Sequence, residues 1–263
     1  MSTIILDDKT VHYEVLGRGR PIIFLHGWVG SWRYWVTAMQ TAAVSFRSYA
    51  LDLWGFGDTA RNPSCYSLGK QTILLGRFIQ ALGIKKVALI GHGLGALTAI
   101  LLAQRYPDVV DRVMAVEVPL EEKSVTIRLR SPTSPSDLAD WLLGKDPITE
   151  PARTDTIKTD PQAITSSFAS LERINFMSLM DTMSTPCLIV HGQHDPAVEA
   201  LDFKRIMSMP ENFHQIVLEK SGHFPMLDES IKFNRMMTDF LALGSGVSPR
   251  QLQMEEEWKR KIR

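Results

Sequence analysis

The sequence predicts an α/β protein with a mostly parallel, twisted sheet that is covered by helices on both faces. Short apolar runs of strand length alternate along the chain with longer segments that have helical periodicity. Polar, glycine-containing motifs directly follow several of these runs, as they do at the carboxyl ends of parallel strands. With 263 residues, the chain is long enough to bury a full core of this type as one domain.

The first 118 residues contain most of the predicted sheet. Alternating apolar and polar residues over 3–16 predict an antiparallel hairpin. Continuous apolar runs predict the strands Pro21–Leu25, Ser48–Leu53, Val87–Ile90 and Arg112–Val118. Helical spacing predicts helices over Trp32–Ala43 and over Ser67–Leu82, the latter ending before Gly83. A third predicted helix stops at Pro107. Strands that alternate with helices in this way favour a parallel sheet.

Residues 119–180 interrupt this pattern because they are richer in Ser, Thr, Pro and charge. Two short helices are predicted there, one from Pro135 to Gly144 and one from Pro161 to about Arg173, each opened by proline. An inserted helical lid explains such a segment better than a long structureless loop does. After the lid, the predicted elements are the strands Cys187–Val190 and Gln215–Leu218 and the helices Val198–Met207 and Asp228–Leu243.

The expected domain organisation is a core of residues 1–118 and 181–243, a lid of residues 119–180 and a charged tail of residues 244–263. Acidic and basic residues in the tail are spaced i,i+4 in the favourable order, which predicts a solvated helix. A tail that binds a partner through its apolar residues is the alternative.

Composition excludes several classes of function. The chain carries 29 basic and 29 acidic residues, so its charge favours neither nucleic acid nor an anionic membrane as a partner. Cys65 and Cys187 lack any metal-type spacing and suit a reducing compartment. We see no signal peptide and no apolar run of the ~18–20 residues that a spanning helix needs. We therefore expect a cytoplasmic protein that needs no cofactor or metal, and the sequence leaves a homo-oligomer possible.

The sequence Gly91-His92-Gly93-Leu94-Gly95 lies between a predicted buried strand and a predicted helix. Strand, glycine-flanked turn and helix in that order form the context of the nucleophile elbow, G-x-S-x-G. Gly93 takes the position at which the attacking serine would stand. Because glycine has no Oγ, no acyl-enzyme can form there.

Two further motifs follow predicted strands downstream of the elbow, His191-Gly192-Gln193-His194-Asp195 and Ser221-Gly222-His223-Phe224-Pro225. A carboxylate followed by a histidine, both after the elbow, is the chain order of an α/β-hydrolase triad. His26-Gly27 and the Asp52–Gly57 loop match two other motifs of that group. The chain therefore resembles the α/β-hydrolase superfamily over about Val11 to Leu243.

This resemblance implies specific roles. Asp195 would orient the imidazole of His223, which would act as general base and then as general acid. The backbone N–H groups of Trp28 and Leu94 would form the oxyanion hole. Gly93 is the departure from the family's pattern.

Some assignments stay open at this point. Glu117, at the end of a predicted strand, is a possible substitute for Asp195. The residues expected to bind the substrate are His26, Gly27, Phe176, Met177, Met180 and Phe224. Core packing is the alternative for Phe176 and the methionines. His26, His92, His191 and His194 are expected to pack or to lie at the rim rather than to bind a metal, because their spacings match no ligand pattern.

Gly93 allows three interpretations: an engineered serine knockout, a natural pseudoenzyme that keeps the pocket for binding, or a lyase that uses the Asp195–His223 pair as a base. An oxyanion hole and binding site without the nucleophile can still give ~10³–10⁴-fold acceleration over water. The predicted function is an ester hydrolase for a small, apolar acyl substrate, in a form that lacks its nucleophile. The alternatives are a non-catalytic ligand-binding or sensor protein and a lyase.

Overall fold

Eight strands form one sheet in the order β1-β2-β4-β3-β5-β6-β7-β8 in a computed structural model that describes residues 2–132, 134–143 and 146–252. The strands are β1 Ser2–Leu6, β2 Lys9–Gly17, β3 Arg20–Leu25, β4 Phe46–Leu51, β5 Val87–His92, β6 Val110–Val116, β7 Cys187–Gly192 and β8 Phe213–Leu218. β2 pairs antiparallel with β1 and β4, and every pairing from β3 to β8 is parallel. The predicted fold class is confirmed.

Every residue of β5 and β7 is buried, so both faces of the sheet are covered at its centre. The α-helices are α1 Val36–Ala42, α2 Leu68–Ala81, α3 Leu94–Arg105, α4 Ile127–Arg130, α5 Pro135–Leu143, α6 Glu150–Thr154, α7 Pro161–Leu171, α8 Phe176–Thr182, α9 Phe203–Ser208, α10 Pro225–Asp228 and α11 Ser230–Ala242. α2 packs against α3, and α1 packs against α11. The parallel pairing from β3 to β8 brings the carboxyl ends of these strands together at one edge of the sheet.

The helix predicted from Val198 begins later than the sequence pattern suggests. Val198 instead forms an antiparallel bridge with Val125. Asp202 then caps the short helix α9, its carboxylate accepting from the Arg205 N–H at 2.9 Å. The prediction was wrong for residues 198–202 because a tertiary contact with the lid outweighs the local helical spacing.

Five α-helices, α4 to α8, lie between β6 and β7, in the segment predicted as a lid. The two predicted helices correspond to α5 and α7, and Asp160 caps α7. Polar contacts join this segment to the loop after β3: the Asp155 carboxylate accepts from the Ser31 hydroxyl at 2.6 Å and from Arg33 Nε at 2.9 Å. Asp155 is buried, and these contacts fasten the segment over the edge of the sheet where the strands end.

The described part of the tail follows α11 to Leu252. It contains a short 3₁₀ helix, Pro249–Gln251, and Arg250 donates to the carbonyl oxygens of Phe213 and Met209. The residues whose spacing predicts a solvated tail helix lie outside the described part of the chain. None of the helices described here is long and apolar enough to cross a membrane.

Candidate active site

Gly93 makes the sharp turn between β5 and α3. Its backbone has φ 48° and ψ −108°, a conformation that strains any residue with a side chain. The flanking glycines are required by space, since a Cβ on Gly91 would lie 2.4 Å from the Gly95 carbonyl carbon and one on Gly95 would lie 2.4 Å from the Leu25 oxygen. The backbone therefore has the close strand–turn–helix geometry that an exposed nucleophile requires, at a residue with no side chain.

Asp195 and His223 meet beside this turn. Asp195 Oδ2 lies 2.9 Å from His223 Nδ1, and Asp195 Oδ1 accepts from the Ala197 N–H at 2.8 Å. Burial opposes ionisation of Asp195, but the charge of His223 and its hydrogen bond outweigh it and hold the pKa of Asp195 well below its usual range. An ionised carboxylate on Nδ1 fixes the ring and leaves Nε2 for proton transfer.

Glu117, the other carboxyl considered as the partner of His223, takes a different place. It follows β6 with φ 45°, is fully buried, and its Oε2 lies 2.7 Å from His191 Nδ1. The structure therefore brings Asp195, and not Glu117, onto the ring of His223.

The indole of Trp28 lies directly over Gly93. An ideal Cβ on Gly93 would lie 2.8 Å from Trp28 Cζ3 and 2.9 Å from Cε3, closer than real Cβ contacts. The indole is buried, stacks on Phe168 with centroids 4.4 Å apart, and donates from Nε1 to Ser167 Oγ at 2.8 Å. Two residues of α7 thus hold the indole in the space that a serine side chain would need.

The two backbone donors predicted for the oxyanion hole belong to Trp28 itself and to Leu94, the residue after Gly93. Leu94 is the first residue of α3, where helix N–H groups have no intrahelical acceptor. Among the described residues, neither the Leu94 N–H nor the Trp28 N–H donates to a protein acceptor. Both remain available to an oxygen atom of a ligand, although their role as an oxyanion hole stays a prediction.

His26 lies beneath the site rather than in it. Its Nε2 accepts from the Leu53 N–H at 3.0 Å, so Nδ1 carries the proton and donates to the Gly27 carbonyl at 2.8 Å. The Gly27 N–H donates to the Tyr34 hydroxyl, which in turn donates to His92 Nδ1. These bonds fix the loop after β3 and use both ring nitrogens of His26, so a substrate contact by His26 has no support from the geometry.

Of the apolar residues predicted to line the pocket, Phe224 is placed beside the site. Its ring centroid lies 5.3 Å from that of His223 and 4.9 Å from that of His92. Phe176 and Met180 are buried on α8, and Met177 is partly buried. Their contribution to an acyl pocket stays a prediction.

No local sequence pattern points to the side chains that surround Gly93. Ser167 is 139 residues from Trp28, and nothing in the local pattern of α7 distinguishes Ser167 or Phe168 from other helical positions. The role of Tyr34 in supporting the loop after β3 is also not predicted, and the signal for it is an aromatic residue shortly after a His-Gly motif.

Within the described residues, one cluster has ligand atoms close enough to hold a metal: His12, Asp52 and Asp58. It is remote from Gly93, at the motif loop after β4. The Asp52 carboxylate is already engaged by His12 Nδ1 at 2.8 Å and by the N–H groups of Trp32 and Asp58. These bonds account for the cluster as a structural support of the loop.

Known proteins are similar to this chain in sequence and in fold. Residues 20–143 match the family described as the alpha/beta hydrolase fold. A soluble epoxide hydrolase of Corynebacterium sp. (strain C12) is 31% identical over 108 residues, which are 41% of this chain and only 38% of that protein's length. An uncharacterised protein of Mycobacterium tuberculosis is 25% identical over 275 residues, which cover 90% of this chain and 81% of that protein.

A solved structure of the N-acyl homoserine lactonase AidH superimposes with a TM-score of 0.81 at 22% identity, covering 91% of this chain and 96% of the other. That structure is of a serine-to-glycine mutant complexed with N-hexanoyl homoserine lactone. The chain has the α/β-hydrolase fold.

Proposed function

We propose that this protein binds a small, apolar acyl compound, an ester or a lactone, and hydrolyses it with Asp195 and His223 as the base pair and without a covalent intermediate. The observation that carries this proposal is the 2.9 Å contact between Asp195 and His223 beside the two free N–H groups of Trp28 and Leu94. The structural likeness to a lactonase complexed with an acyl lactone supports the substrate class.

The chemistry follows from the atoms that are present. His223 Nε2 would take a proton from a water molecule, and the resulting hydroxide would add to the carbonyl carbon. The N–H groups of Trp28 and Leu94 would stabilise the oxyanion, and His223 would return the proton to the departing alkoxide. Without a serine the expected acceleration is ~10³–10⁴-fold over water, far below that of a complete triad.

A second candidate is a binding protein without catalysis, and the position of the Trp28 indole favours it. The ring covers Gly93 and is held by Ser167 and Phe168. A carbonyl carbon that must reach the turn at Gly93 has to share this space with the indole. A protein that only recognises its ligand has no such requirement.

The test compares turnover with binding. Short-chain aryl esters and N-hexanoyl homoserine lactone are assayed with the unmodified chain, with His223→Ala and with the matched control His194→Ala. His194 is an exposed histidine two residues after the end of β7. We expect slow turnover without an initial burst, lost in His223→Ala and kept in His194→Ala. Turnover that survives in His223→Ala contradicts the proposal.

Calorimetric titration of the same compounds separates the two candidates. Binding without turnover by the unmodified chain would replace the hydrolase by the binding protein. Absence of both binding and turnover would contradict the proposal that the ligand is an acyl compound.

A further inference from the structure

A second carboxyl group lies behind the Asp195–His223 pair and has no part in the chemistry described above. Glu117 follows the last residue of β6, and its backbone N–H continues the sheet by donating to the Val190 carbonyl at 2.9 Å. Its φ of 45° is unusual for a residue with a side chain. This strained backbone directs a carboxyl group into the protein interior, where Glu117 is fully buried.

The partners of this carboxyl determine where its proton lies. Glu117 Oε1 accepts from the Gly192 N–H at 2.5 Å, and Oε2 lies 2.7 Å from His191 Nδ1. Burial lowers the pKa of His191 to about 4, so its ring is neutral and carries a single proton that it can donate from Nδ1. The third neighbour is the carboxyl of Asp195, which also raises the pKa of Glu117.

Two carboxyl groups can be hydrogen-bonded only if one of them carries the proton. Asp195 also faces His223 and the Ala197 N–H, and both favour its ionised form. The Gly192 N–H favours ionisation of Glu117, but its influence on the pKa is smaller than that of burial and of the Asp195 carboxyl. Burial, followed by the charge of Asp195, raises the pKa of Glu117 well above its usual range.

We infer that Glu117 is a neutral carboxylic acid that donates a hydrogen bond to Asp195 and thereby positions the Asp195 carboxylate against His223. The inference rests on the Asp195–His223 base pair of the proposed function. Its test measures the protonation state of Glu117 and not turnover, so the inference and the proposed function can be contradicted independently. Glu117 touches no reacting atom and is a positioning residue.

Other titratable groups face this array. Asp228, at the end of α10, accepts from the Gly222 N–H at 2.8 Å and contributes negative charge near both Glu117 and His223. The ring of His92, on β5, lies 4.7 Å from that of His223, and its pKa is held well below the usual range, first by burial and then by the charge of His223. An ionised Glu117 would therefore add another negative charge to a region that already contains two carboxylates.

Infrared difference spectroscopy at neutral pH tests the protonation state. The unmodified protein should show the carbonyl stretch of a protonated carboxylic acid, and Glu117→Gln should lack it. Glu121→Gln, which changes an acid four residues further along the same segment and partly exposed, is the matched control and should keep the band. Absence of the band from the unmodified protein, or its survival in Glu117→Gln, would overturn the inference.

Nuclear magnetic resonance of ¹⁵N-histidine-labelled protein tests the positioning role. The Nδ1–H resonance of His223, assigned by its loss in His223→Gln, should persist in Glu117→Gln, whose amide N–H groups can still donate to Asp195. It should be lost or should exchange faster in Glu117→Leu, which has no donor.

Two results would contradict the positioning role. One is an unchanged His223 resonance in a folded Glu117→Leu. The other is a fall of about 1 unit or more in the titration midpoint of the His223 ring in Glu117→Gln, which would show that a negative charge had been removed. If Glu117→Leu does not fold, Glu117→Gln and the infrared band still decide the question.

Discussion

The two sides of the candidate site differ in how they are built. On one side, the Asp195 carboxylate lies 2.9 Å from Nδ1 of His223, with Glu117 and His191 behind them. On the other side, Gly93 offers no nucleophile, and the indole of Trp28 takes the space above it. Removal of a serine side chain alone would leave a small gap, whereas here a lid helix packs the indole into that space.

The largest effect should come from removing the indole. Trp28→Ala should lower the free energy of unfolding by about 3–5 kcal/mol, because a buried tryptophan that stacks on Phe168 and bonds to Ser167 leaves a cavity. Urea denaturation measures the loss. Trp141→Ala, at a partly buried position on α5, is the control and should cost less. Equal losses would mean that Trp28 does not fasten α7 to the core.

A pH-dependent effect is expected at Glu117, whose pKa is raised on folding. From about pH 4.5 upward the unfolded state loses this proton while the folded state keeps it. The unmodified protein should therefore lose about 1.4 kcal/mol of stability per pH unit relative to Glu117→Gln, until Glu117 ionises in the folded state.

Urea denaturation of both proteins between about pH 5 and about pH 8 checks this sign. The stability of Glu117→Gln relative to the unmodified protein should grow as the pH rises. A difference that stays constant, or that shrinks with rising pH, would show that Glu117 is ionised in the folded protein.

The smallest of these stability changes is expected at the turn. Gly93→Ala should lower the denaturant midpoint at unchanged m-value, since backbone strain of ~1–3 kcal/mol exceeds the ~0.4–1 kcal/mol gained from the less flexible unfolded chain. The contact with Trp28 adds to the cost. Gly83→Ala is a matched control, because Gly83 also has positive φ (66°) but nothing within 4 Å of an added Cβ. If both variants lose the same stability, the indole does not constrain residue 93.

Local sequence patterns were sufficient to predict the sheet and the contact between Asp195 and His223. The strands are continuous apolar runs because both faces are covered, and Asp195 and His223 each follow a strand within a few residues. Local sequence patterns did not predict the contacts between segments that are distant in the sequence. The bridge between Val125 and Val198 shortened a predicted helix, and the contact of Trp28 with α7 depends on how the lid packs. Hydrophobic spacing carries no information about such pairings.

One pair of variants tests both the absence of a hydroxyl at residue 93 and the covering of that position by the Trp28 indole. Gly93→Ser supplies the hydroxyl but meets the indole, whereas Gly93→Ser/Trp28→Leu supplies it and frees the space. Because triad members act as a unit, a serine at residue 93 needs His223 to become reactive. The deciding measurement is covalent labelling of residue 93 by a serine-directed phosphonate, read by mass spectrometry.

We expect little label in Gly93→Ser, clear label in the double variant, and none when His223→Ala is added to it. The same double variant should hydrolyse aryl esters with an acyl-enzyme burst. A folded double variant that takes no label and hydrolyses no ester would contradict the account of an intact base pair beside a lost nucleophile. Equal labelling of Gly93→Ser and of the double variant would contradict the claim that the Trp28 indole occupies the space a serine side chain needs.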